Sequence, residues 1–245
     1  MKKLHWKTVL CIALILSSFF CYTVHYFIFR DLHHIFIFLL SDVAFVFVEV
    51  LMVTMVLHRL LENREKRLKI RKLSVIVGAF FNKFGTKLLQ ELLIFDSEKD
   101  KTMLNLHVSS DWHEEKFFEI RNQVEESTFL IDPLRGNLTI LQKYLTQNRD
   151  IITRILENPH IMEHEYFTDM LWAVCHVCDE LEYRKHLGEL SSEDINHLAI
   201  DINRAYSRLI AEWLTYMKNL QKEYPFLFSL ACRINPFDPN AKVEL

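Results

Sequence analysis

The stretch IFIFLLSDVAFVFVEVLMVTMVLH, residues 35–58, decides the fold, because it is long and apolar and yet contains two acids, Asp42 and Glu49. About 20 apolar residues in a helix cross the hydrocarbon core of a bilayer, which is about 30 Å thick. The two acids are two helical turns apart, so both project from one face of the same helix. A carboxyl group in hydrocarbon is costly and usually has a function. The stretch therefore predicts a membrane-spanning helix with a polar stripe.

A second apolar run, residues 8–29, precedes this helix, and only residues 30–34 separate the two. A connector this short predicts a helical hairpin. The first run is too long for a secretory signal, and a second span follows directly, so we expect it to be retained as an anchor. Ser18 and His25, seven residues apart, give the first helix its own polar stripe.

The polar side chains of the two stripes are expected to meet across the hairpin. Counting from the connector at about 1.5 Å per residue, His25 should lie opposite Asp42, and Ser18 opposite Glu49. One interpretation is structural: these groups hydrogen-bond within the hairpin or between copies of it, each bond contributing about 1 kcal/mol to assembly. The other is functional: several hairpins surround a path in which rings of Asp42 and Glu49 attract cations or relay protons.

The basic residues predict the orientation of the hairpin. The connector contains only Arg30, whereas the outer flanks contain Lys2, Lys3, Lys7, Arg59, Arg64, Lys66, Arg67, Lys69, Arg71 and Lys72. Cytoplasmic segments carry the excess of lysine and arginine, so both termini of this multi-pass inner-membrane protein should be cytoplasmic. Anionic lipid headgroups are expected to contact four of these residues, Arg64, Arg67, Arg71 and Lys72. No interleaving of aromatic and basic residues supports binding of nucleic acid.

The composition favours helices in the rest of the chain. Four glycines and five prolines among 245 residues are few for a chain that must turn often, and no strand pattern is convincing. We predict an all-α protein with three parts: a transmembrane hairpin in residues 1–58, a charged stalk and amphipathic helix in 59–95, and a helical cytoplasmic domain in 96–245. The five cysteines should be reduced thiols.

The segment 59–95 is predicted to form two consecutive helices. Its first half has Glu–Lys pairs at the i,i+4 spacing and should continue the second membrane helix as a stalk. Its second half, residues 73–95, places five apolar side chains on one face: Ile76, Phe80, Phe84, Leu88 and Leu92. Gly78 and Gly85 should let another helix approach closely. Three interpretations stay open: a core helix of the cytoplasmic domain, a helix in the membrane interface, and a self-association helix.

Capping signals and apolar periodicity predict five helices after a polar connector at residues 96–110, part of which could be extended. Their predicted starts are Ser109 or Ser110, Asp132–Pro133, Arg149, Glu163, and Ser191 or Ser192. Their predicted ends lie near residues 126, 146, 157, 186 and 223.

Four side chains in the last two long helices form the sharpest candidate site. His176 and Glu180 are i,i+4 on one helix, and His197 and Asp201 are i,i+4 on the next. A connector of about six residues makes these helices antiparallel, which puts His176 level with Asp201 and Glu180 level with His197. Two imidazoles and two carboxylates can bind a divalent metal or perform acid–base chemistry. The alternative is ordinary surface ion pairs, because all four lie opposite the apolar stripes of their helices.

Other motifs are weak. Cys175-x2-Cys178 lacks the strand–helix setting of a redox pair and the second ligand pair of a zinc site. The sequence has no P-loop, GxGxxG, Gly-x-Ser-x-Gly or HExxH motif. We therefore name no catalytic residue and no cofactor, and the ligand is unknown.

Several long stretches resemble a family of uncharacterised prokaryotic two-pass membrane proteins. The stretches are SDVAFVFVEVLMVTMVLHRLLENREKR, IVGAFFNKFGTKLL, LWAVCHVCDEL, HLAIDINRAYSRLIAEWLTYMKNL and EYPFLFSLACRINPFDPNA. The resemblance covers most of residues 40–240. It implies a bacterial or archaeal inner-membrane protein with a helical cytoplasmic domain, and it implies no activity.

The sequence therefore favours a non-enzymatic, homo-oligomeric inner-membrane scaffold or signalling component. The most specific form of this prediction is that cations or protons pass Asp42 and Glu49. The alternative is a membrane-anchored metal-dependent enzyme that uses the two histidines and two carboxylates named above.

Overall fold

A computed structural model describes residues 6–162 and 164–242, and for six of these only the backbone: Lys7, Leu32, His34, Arg67, Lys69 and Ile70. The described helices are α1 (Trp6–Phe29), α2 (Leu32–Phe80), α3 (Thr86–Leu93), α4 (Lys99–Asn105), α5 (Glu114–Glu126), α6 (Leu138–Gln147), α7 (Arg149–Leu156), α8 (Glu165–Tyr183), α9 (Ser192–Glu223) and α10 (Pro225–Arg233). A π-helical turn, Phe81–Gly85, separates α2 from α3. The described residues form no strand, so the prediction of an all-α protein is confirmed.

The chain divides into two compact units, Met1–Lys66 and Arg67–Leu245. In the first unit, Thr8–Phe29 of α1 and the stretch of α2 that begins at Ile35 are long and apolar enough to cross a membrane. Their large apolar side chains are exposed, among them Phe19, Leu40 and Phe47. Arg30 ends α1 in the left-handed conformation, with φ of 49°, and its N–H donates to the Tyr26 carbonyl at 2.8 Å.

The end of α2, the π-helical turn and α3 form one side of the core of the second unit. Four side chains of the predicted apolar face are at most 1% exposed: Phe80, Phe84, Leu88 and Leu92. The π-helical turn inserts one extra residue per turn and brings Phe81 into the core as well. Phe81 stacks on Tyr216 of α9, and Phe84 stacks on Tyr144 of α6. Residues 73–93 are thus core helix, the first of the three interpretations.

Helix α9 lies at the centre of the second unit and packs against α3, α5, α8 and α10. Ser191 caps it as predicted, since its Oγ accepts the N–H of Asp194 at 3.1 Å. The apolar periodicity of α9 predicts six core positions, and five of them are buried: Leu198, Ile202, Leu209, Trp213 and Met217. The sixth, Ile195, is only partly buried. The predicted core positions of α8 are buried at Phe167, Met170, Leu171, Val174, Cys178 and Leu181. The apolar periodicity therefore identified the central pair of helices correctly.

The predicted start of α6 at Asp132–Pro133 is wrong. The Asp132 carboxylate accepts the N–H of Leu134 at 2.9 Å, which closes a turn rather than starting a helix. The helix begins after Asn137, whose side chain accepts the N–H of Ile140 at 3.1 Å. Both aspartate and asparagine favour turns and caps, so their spacing alone did not decide which one starts the helix.

Two other helices differ from their predicted bounds. α5 begins at Glu114 rather than at Ser109 or Ser110, and no side chain caps it. α8 ends at Tyr183, three residues before its predicted end. Its predicted start, Glu163, lies outside the described residues.

Two short helices were not predicted. α4 lies in the segment expected to be a connector, and a buried acid organises it: Asp96 accepts the N–H of Glu98 at 2.8 Å and the hydroxyl of Thr102 at 2.6 Å. α10 follows α9 directly and begins at Pro225, a position at which proline favours a helix start. Helices of seven and nine residues make only about two turns, which gives too little periodicity to reveal either of them.

Candidate metal centre

Helices α8 and α9 bring four potential metal ligands together. His176 and Glu180 lie one turn apart on α8, and His197 and Asp201 lie one turn apart on α9, so each pair shares a helix face. One ligand atom from each residue lies within 4.8 Å of the other three. We call these four residues the His/carboxylate cluster. The level pairs expected from the antiparallel arrangement, His176 with Asp201 and Glu180 with His197, are both in contact.

The donor atoms in the cluster are spaced like the ligands of one ion. Asp201 Oδ2 lies 3.3 Å from His176 Nε2 and 3.2 Å from His197 Nε2. Glu180 is slightly farther, with Oε1 at 3.9 Å from His176 Nε2 and Oε2 at 3.6 Å from His197 Nε2. Four ligands at about 2.1 Å from a tetrahedral ion are about 3.4 Å from one another. The observed separations bracket that value, and the two shortest also suit ion pairs between Asp201 and protonated histidines.

Asp201 is the buried member of the cluster, with its side chain only 2% exposed. Its Oδ1 accepts a hydrogen bond from Arg204 Nη1 at 2.9 Å. Its Oδ2 is buried and has no hydrogen-bond partner within the described chain. Burying such an oxygen lowers the stability of the fold unless a cation or a hydrogen-bond donor contacts it. The expectation that all four residues lie on a solvent-facing surface is therefore wrong for Asp201.

Arginine side chains hold both carboxylates in position. Arg184 Nη1 donates to Glu180 Oε2, and Arg184 also pairs with Asp194 at 3.3 Å. The hydrogen bond from Arg184 is the main reason that the pKa of Glu180 lies below its ordinary value, so this carboxylate stays ionised at neutral pH. Arg204 holds Asp201 in the same way. Ligands oriented by such outer partners bind a metal better than free side chains do.

The histidines leave one side of the cluster open. The side chains of His176 and His197 are 44% and 52% exposed, whereas Asp201 closes the inner side. Water and small solutes can therefore reach the cluster from the histidine side. A metal held by all four side chains would take an exchangeable ligand there by expanding to five-coordination, as some zinc sites do.

Comparisons with known proteins place the chain in a family. The model for the MJ1433 N-terminal helical domain matches residues 2–61, and the model for the C-terminal helical domain of uncharacterized protein MJ1433 matches residues 69–233. The chain belongs to the MJ1433 family. Uncharacterized protein MJ1433 of Methanocaldococcus jannaschii is 36% identical over 233 residues, which cover 95% of this chain and 94% of the relative. No solved structure matches.

The MJ1433 matches confirm the resemblance to an uncharacterised helical family. The whole His/carboxylate cluster lies in the part that matches the MJ1433 C-terminal helical domain. Both apolar helices begin in the part that matches the N-terminal helical domain. The descriptions of the MJ1433 domains name helices and no activity.

The polar residues of the apolar helices are not paired as the sequence suggested. His25 stacks on Phe29 with ring centroids 4.7 Å apart, and its Nδ1 is buried with no hydrogen-bond partner in the described residues. Asp42, Glu49 and Ser18 are exposed on their helices. None of them forms a described hydrogen bond or ion pair across the two helices. These groups therefore remain available to other polar groups.

The four basic residues expected to meet lipid headgroups have different surroundings. Arg64 and Arg71 are exposed, and the side chain of Arg67 lies outside the described part of the structure. Lys72 is exposed, and its Nζ lies 3.5 Å from His160 Nε2. Lys2 and Lys3, which entered the argument on orientation, also lie outside the described residues.

The Cys175 and Cys178 pair carries no sign of redox chemistry. Both thiols are free in the described structure. Burial raises the pKa of Cys175 to about 11 and also raises the pKa of Cys178, so few thiolates form at neutral pH.

Sequence reasoning missed the residues that support the cluster. Arg184 lies four residues after Glu180, and Arg204 lies three residues after Asp201, so both spacings were visible in the sequence. It also missed Glu212 on α9, which is only 8% exposed. No periodicity distinguishes this acid from an exposed one, because burial of Glu212 depends on α5 packing against α9.

Proposed function

We propose that this chain is a membrane-anchored protein whose C-terminal helical domain binds one divalent transition-metal ion at the His/carboxylate cluster. The observation that carries the metal part is Asp201 Oδ2, a buried carboxylate oxygen without a described hydrogen-bond partner that faces two histidine nitrogens at 3.2 and 3.3 Å. A cation between these atoms satisfies the oxygen and uses both imidazoles as neutral ligands.

The ligand set favours zinc, manganese or ferrous iron. Imidazole suits zinc and iron, and carboxylate suits manganese and other hard ions, so a mixed set of two nitrogens and two oxygens lies between these preferences. Calcium is disfavoured because it takes six to eight oxygen ligands. Two ionised carboxylates balance the charge of a divalent ion, while Arg184 and Arg204 each occupy one oxygen of a carboxylate and leave the other for the metal.

The membrane part of the proposal rests on the two apolar helices. A long apolar helix in a soluble protein is normally buried in the core, whereas the apolar windows of α1 and α2 are not buried at all. Lipid covers such a surface without further protein. The excess of basic residues outside the two apolar stretches supports a hairpin with both ends in the cytoplasm of a cell inner membrane.

Metal binding is tested on the full chain in detergent by equilibrium dialysis against Zn²⁺ and Mn²⁺, followed by elemental analysis. We expect one metal ion per chain. Asp201→Asn should reduce the affinity at least tenfold, because an amide is a neutral and weaker ligand. Asp169→Asn is the matched control, since Asp169 is an exposed acid of α8 outside the cluster, and it should bind like the wild type. If neither Zn²⁺ nor Mn²⁺ binds at about one ion per chain, the proposal is refuted.

A second candidate function, assembly in the bilayer, is favoured by Asp42 and Glu49. Both acids lie exposed on an apolar helix, without a described partner. Placing them in lipid is unfavourable unless polar groups of other copies satisfy them. We propose that they join several hairpins into a homo-oligomer, and that rings of these acids can then attract cations or protons.

An enzymatic role also follows from the open side of the His/carboxylate cluster. If a metal-bound water occupies the side left free by the two half-exposed histidines, its pKa is lowered toward neutrality, which suits hydrolysis. This enzymatic role is the alternative to a structural role of the metal.

A further inference from the structure

A cavity of about 480 Å³ lies between α5, the start of α8, and α9. Its walls include four aromatic rings, those of Phe117, Phe118, Tyr166 and Phe167. Two further cavities, of about 360 and 260 Å³, share Glu212 of α9 with it. The volume of the first cavity lies within the range of about 300–1,000 Å³ that is typical of small-molecule sites. None of the three cavities includes a residue of the His/carboxylate cluster.

Glu212 is the unusual residue of this cavity, because it is an acid that is 92% buried and lacks a direct partner. Its exposed fraction is 8%, and it forms no hydrogen bond or ion pair with the described residues. The charged groups that act on it are Arg121 and Glu125 of α5. A buried carboxylate without a partner is unfavourable, so a site that keeps one usually provides a cation for it.

The cations that line the cavity are already engaged by other acids. Arg121 forms an ion pair with Glu125, with Nη2 at 2.7 Å from Oε1, and its guanidinium lies over the Tyr166 ring at 5.1 Å. Lys218 pairs with Glu114 at 3.5 Å. Neither group makes a contact with Glu212 that would neutralise it. The contact between Arg121 and Tyr166 also shows that the aromatic wall presents a ring face to positive charge.

From this arrangement we propose that the cavity, which we call the Glu212 cavity, binds a small organic cation: a primary ammonium group on an aromatic or alkyl body. The ammonium group pairs with the Glu212 carboxylate, and the apolar body packs against the aromatic walls. The buried charge of Glu212 supplies the electrostatic attraction, and the rings supply apolar contact and cation–π attraction. An anionic ligand is disfavoured, because it would place a second negative charge beside Glu212.

The probe is 2-phenylethylammonium chloride, titrated into the full chain in an uncharged maltoside detergent at pH 8 and followed by isothermal titration calorimetry. We expect saturable binding to one site per chain. 2-Phenylethanol has nearly the same size and no charge, so it should bind at least tenfold more weakly. Glu212→Gln should also weaken amine binding at least tenfold, because the amide cannot act as a counter-ion.

Glu115→Gln is the matched control, because Glu115 is an exposed acid of α5 outside these cavities, and this variant should bind the amine like the wild type. Glu212→Gln removes a buried acid, so circular dichroism should show a folded protein with unchanged helix content. Saturable binding that is lost only with Glu212→Gln would support the proposal. The proposal is overturned if the amine does not bind to the wild type. It is also overturned if the amine binds equally well to Glu212→Gln, or if the alcohol binds as well as the amine, because either result would show partition into the micelle or an apolar site.

Discussion

At the scale of single residues, spacing predicted which side chains meet, and burial decided what they can do. The i,i+4 pairs on α8 and α9 were enough to place His176 beside Asp201 and Glu180 beside His197. The wheel position of Asp201, opposite the apolar stripe, predicted exposure, yet this residue is 2% exposed. The burial of Glu212 could not be predicted from the sequence either. Both depend on which helix covers a polar position, and that information lies in the tertiary packing.

The buried acid Glu212 should make stability depend on pH. Burial raises its pKa from the ordinary value of 4.5 to about 7 in the folded protein. Between these values the folded chain keeps a proton that the unfolded chain has lost, so the free energy of unfolding falls as the pH rises through this window. Above pH 7 this group lowers the free energy of unfolding by about 3 kcal/mol relative to its value below pH 4.5. Glu212→Gln should therefore be more stable than the wild type at pH 8 and about equally stable at pH 4.5.

Urea unfolding of the full chain in detergent, followed by circular dichroism at both pH values, measures this difference. Glu115→Gln should keep the pH dependence of the wild type, since Glu115 is exposed. If Glu212→Gln loses as much stability between pH 4.5 and pH 8 as the wild type does, Glu212 is not the group responsible.

At the scale of helices, apolar periodicity predicted the long elements and failed for the short ones. The apolar face from Phe80 to Leu92 is buried as predicted. The four-residue spacing of its side chains continues across the π-helical turn, so they stay on one side of the segment. The turn itself was not predictable from the periodicity. Gly85 shows its physical reason: a Cβ there would lie 2.6 Å from Phe80 Cε1 and 2.7 Å from Phe81 Cδ1. Glycine is thus needed for the aromatic packing within this segment, rather than for the approach of another helix.

Gly85→Ala should destabilise the second unit by about 1–3 kcal/mol, because an added methyl group overlaps two fully buried rings. Gly188→Ala is the control, since a Cβ at this exposed position would have no neighbour within 4 Å. The measurement is the shift of the urea midpoint of the full chain for each variant. A Gly85→Ala midpoint equal to those of the wild type and Gly188→Ala would contradict the packing described for the π-helical turn.

At the scale of the whole molecule, the sequence predicted an all-α chain with an apolar N-terminal part, and the helical content follows from the scarcity of glycine and proline. The pairing predicted for Asp42 with His25 and for Glu49 with Ser18 is absent from the described residues, and in the proposed oligomer polar groups of other copies take that place. The oligomer number could not be predicted from the sequence, because it depends on contacts between copies of the chain.

Assembly should depend on the two acids of the apolar helix. We expect the full chain in detergent to be a homo-oligomer by light scattering coupled to size-exclusion chromatography. Replacing both acids by leucine, Asp42→Leu with Glu49→Leu, should lower the mass of the complex, because leucine offers no hydrogen bond to a neighbouring helix. Glu62→Leu is a control outside the apolar run. A monomeric wild type, or a double variant with unchanged mass, would contradict this role.

If the oligomer has four or more copies, cation flux into liposomes should fall when Asp42→Asn and Glu49→Gln are combined, because the rings lose their charge. Unchanged flux would leave assembly as the role of these acids and would exclude a conducting path past them.

The central claim, that the His/carboxylate cluster is a metal site, is tested most directly by X-ray absorption spectroscopy of the zinc-loaded full chain. We expect a first shell of two imidazole nitrogens at about 2.0–2.1 Å and carboxylate oxygens at about 2.0–2.2 Å, with the imidazole signature lost when His176→Ala and His197→Ala are combined. A first shell without imidazole in the wild type, or an imidazole signature that persists in the double variant, would contradict it.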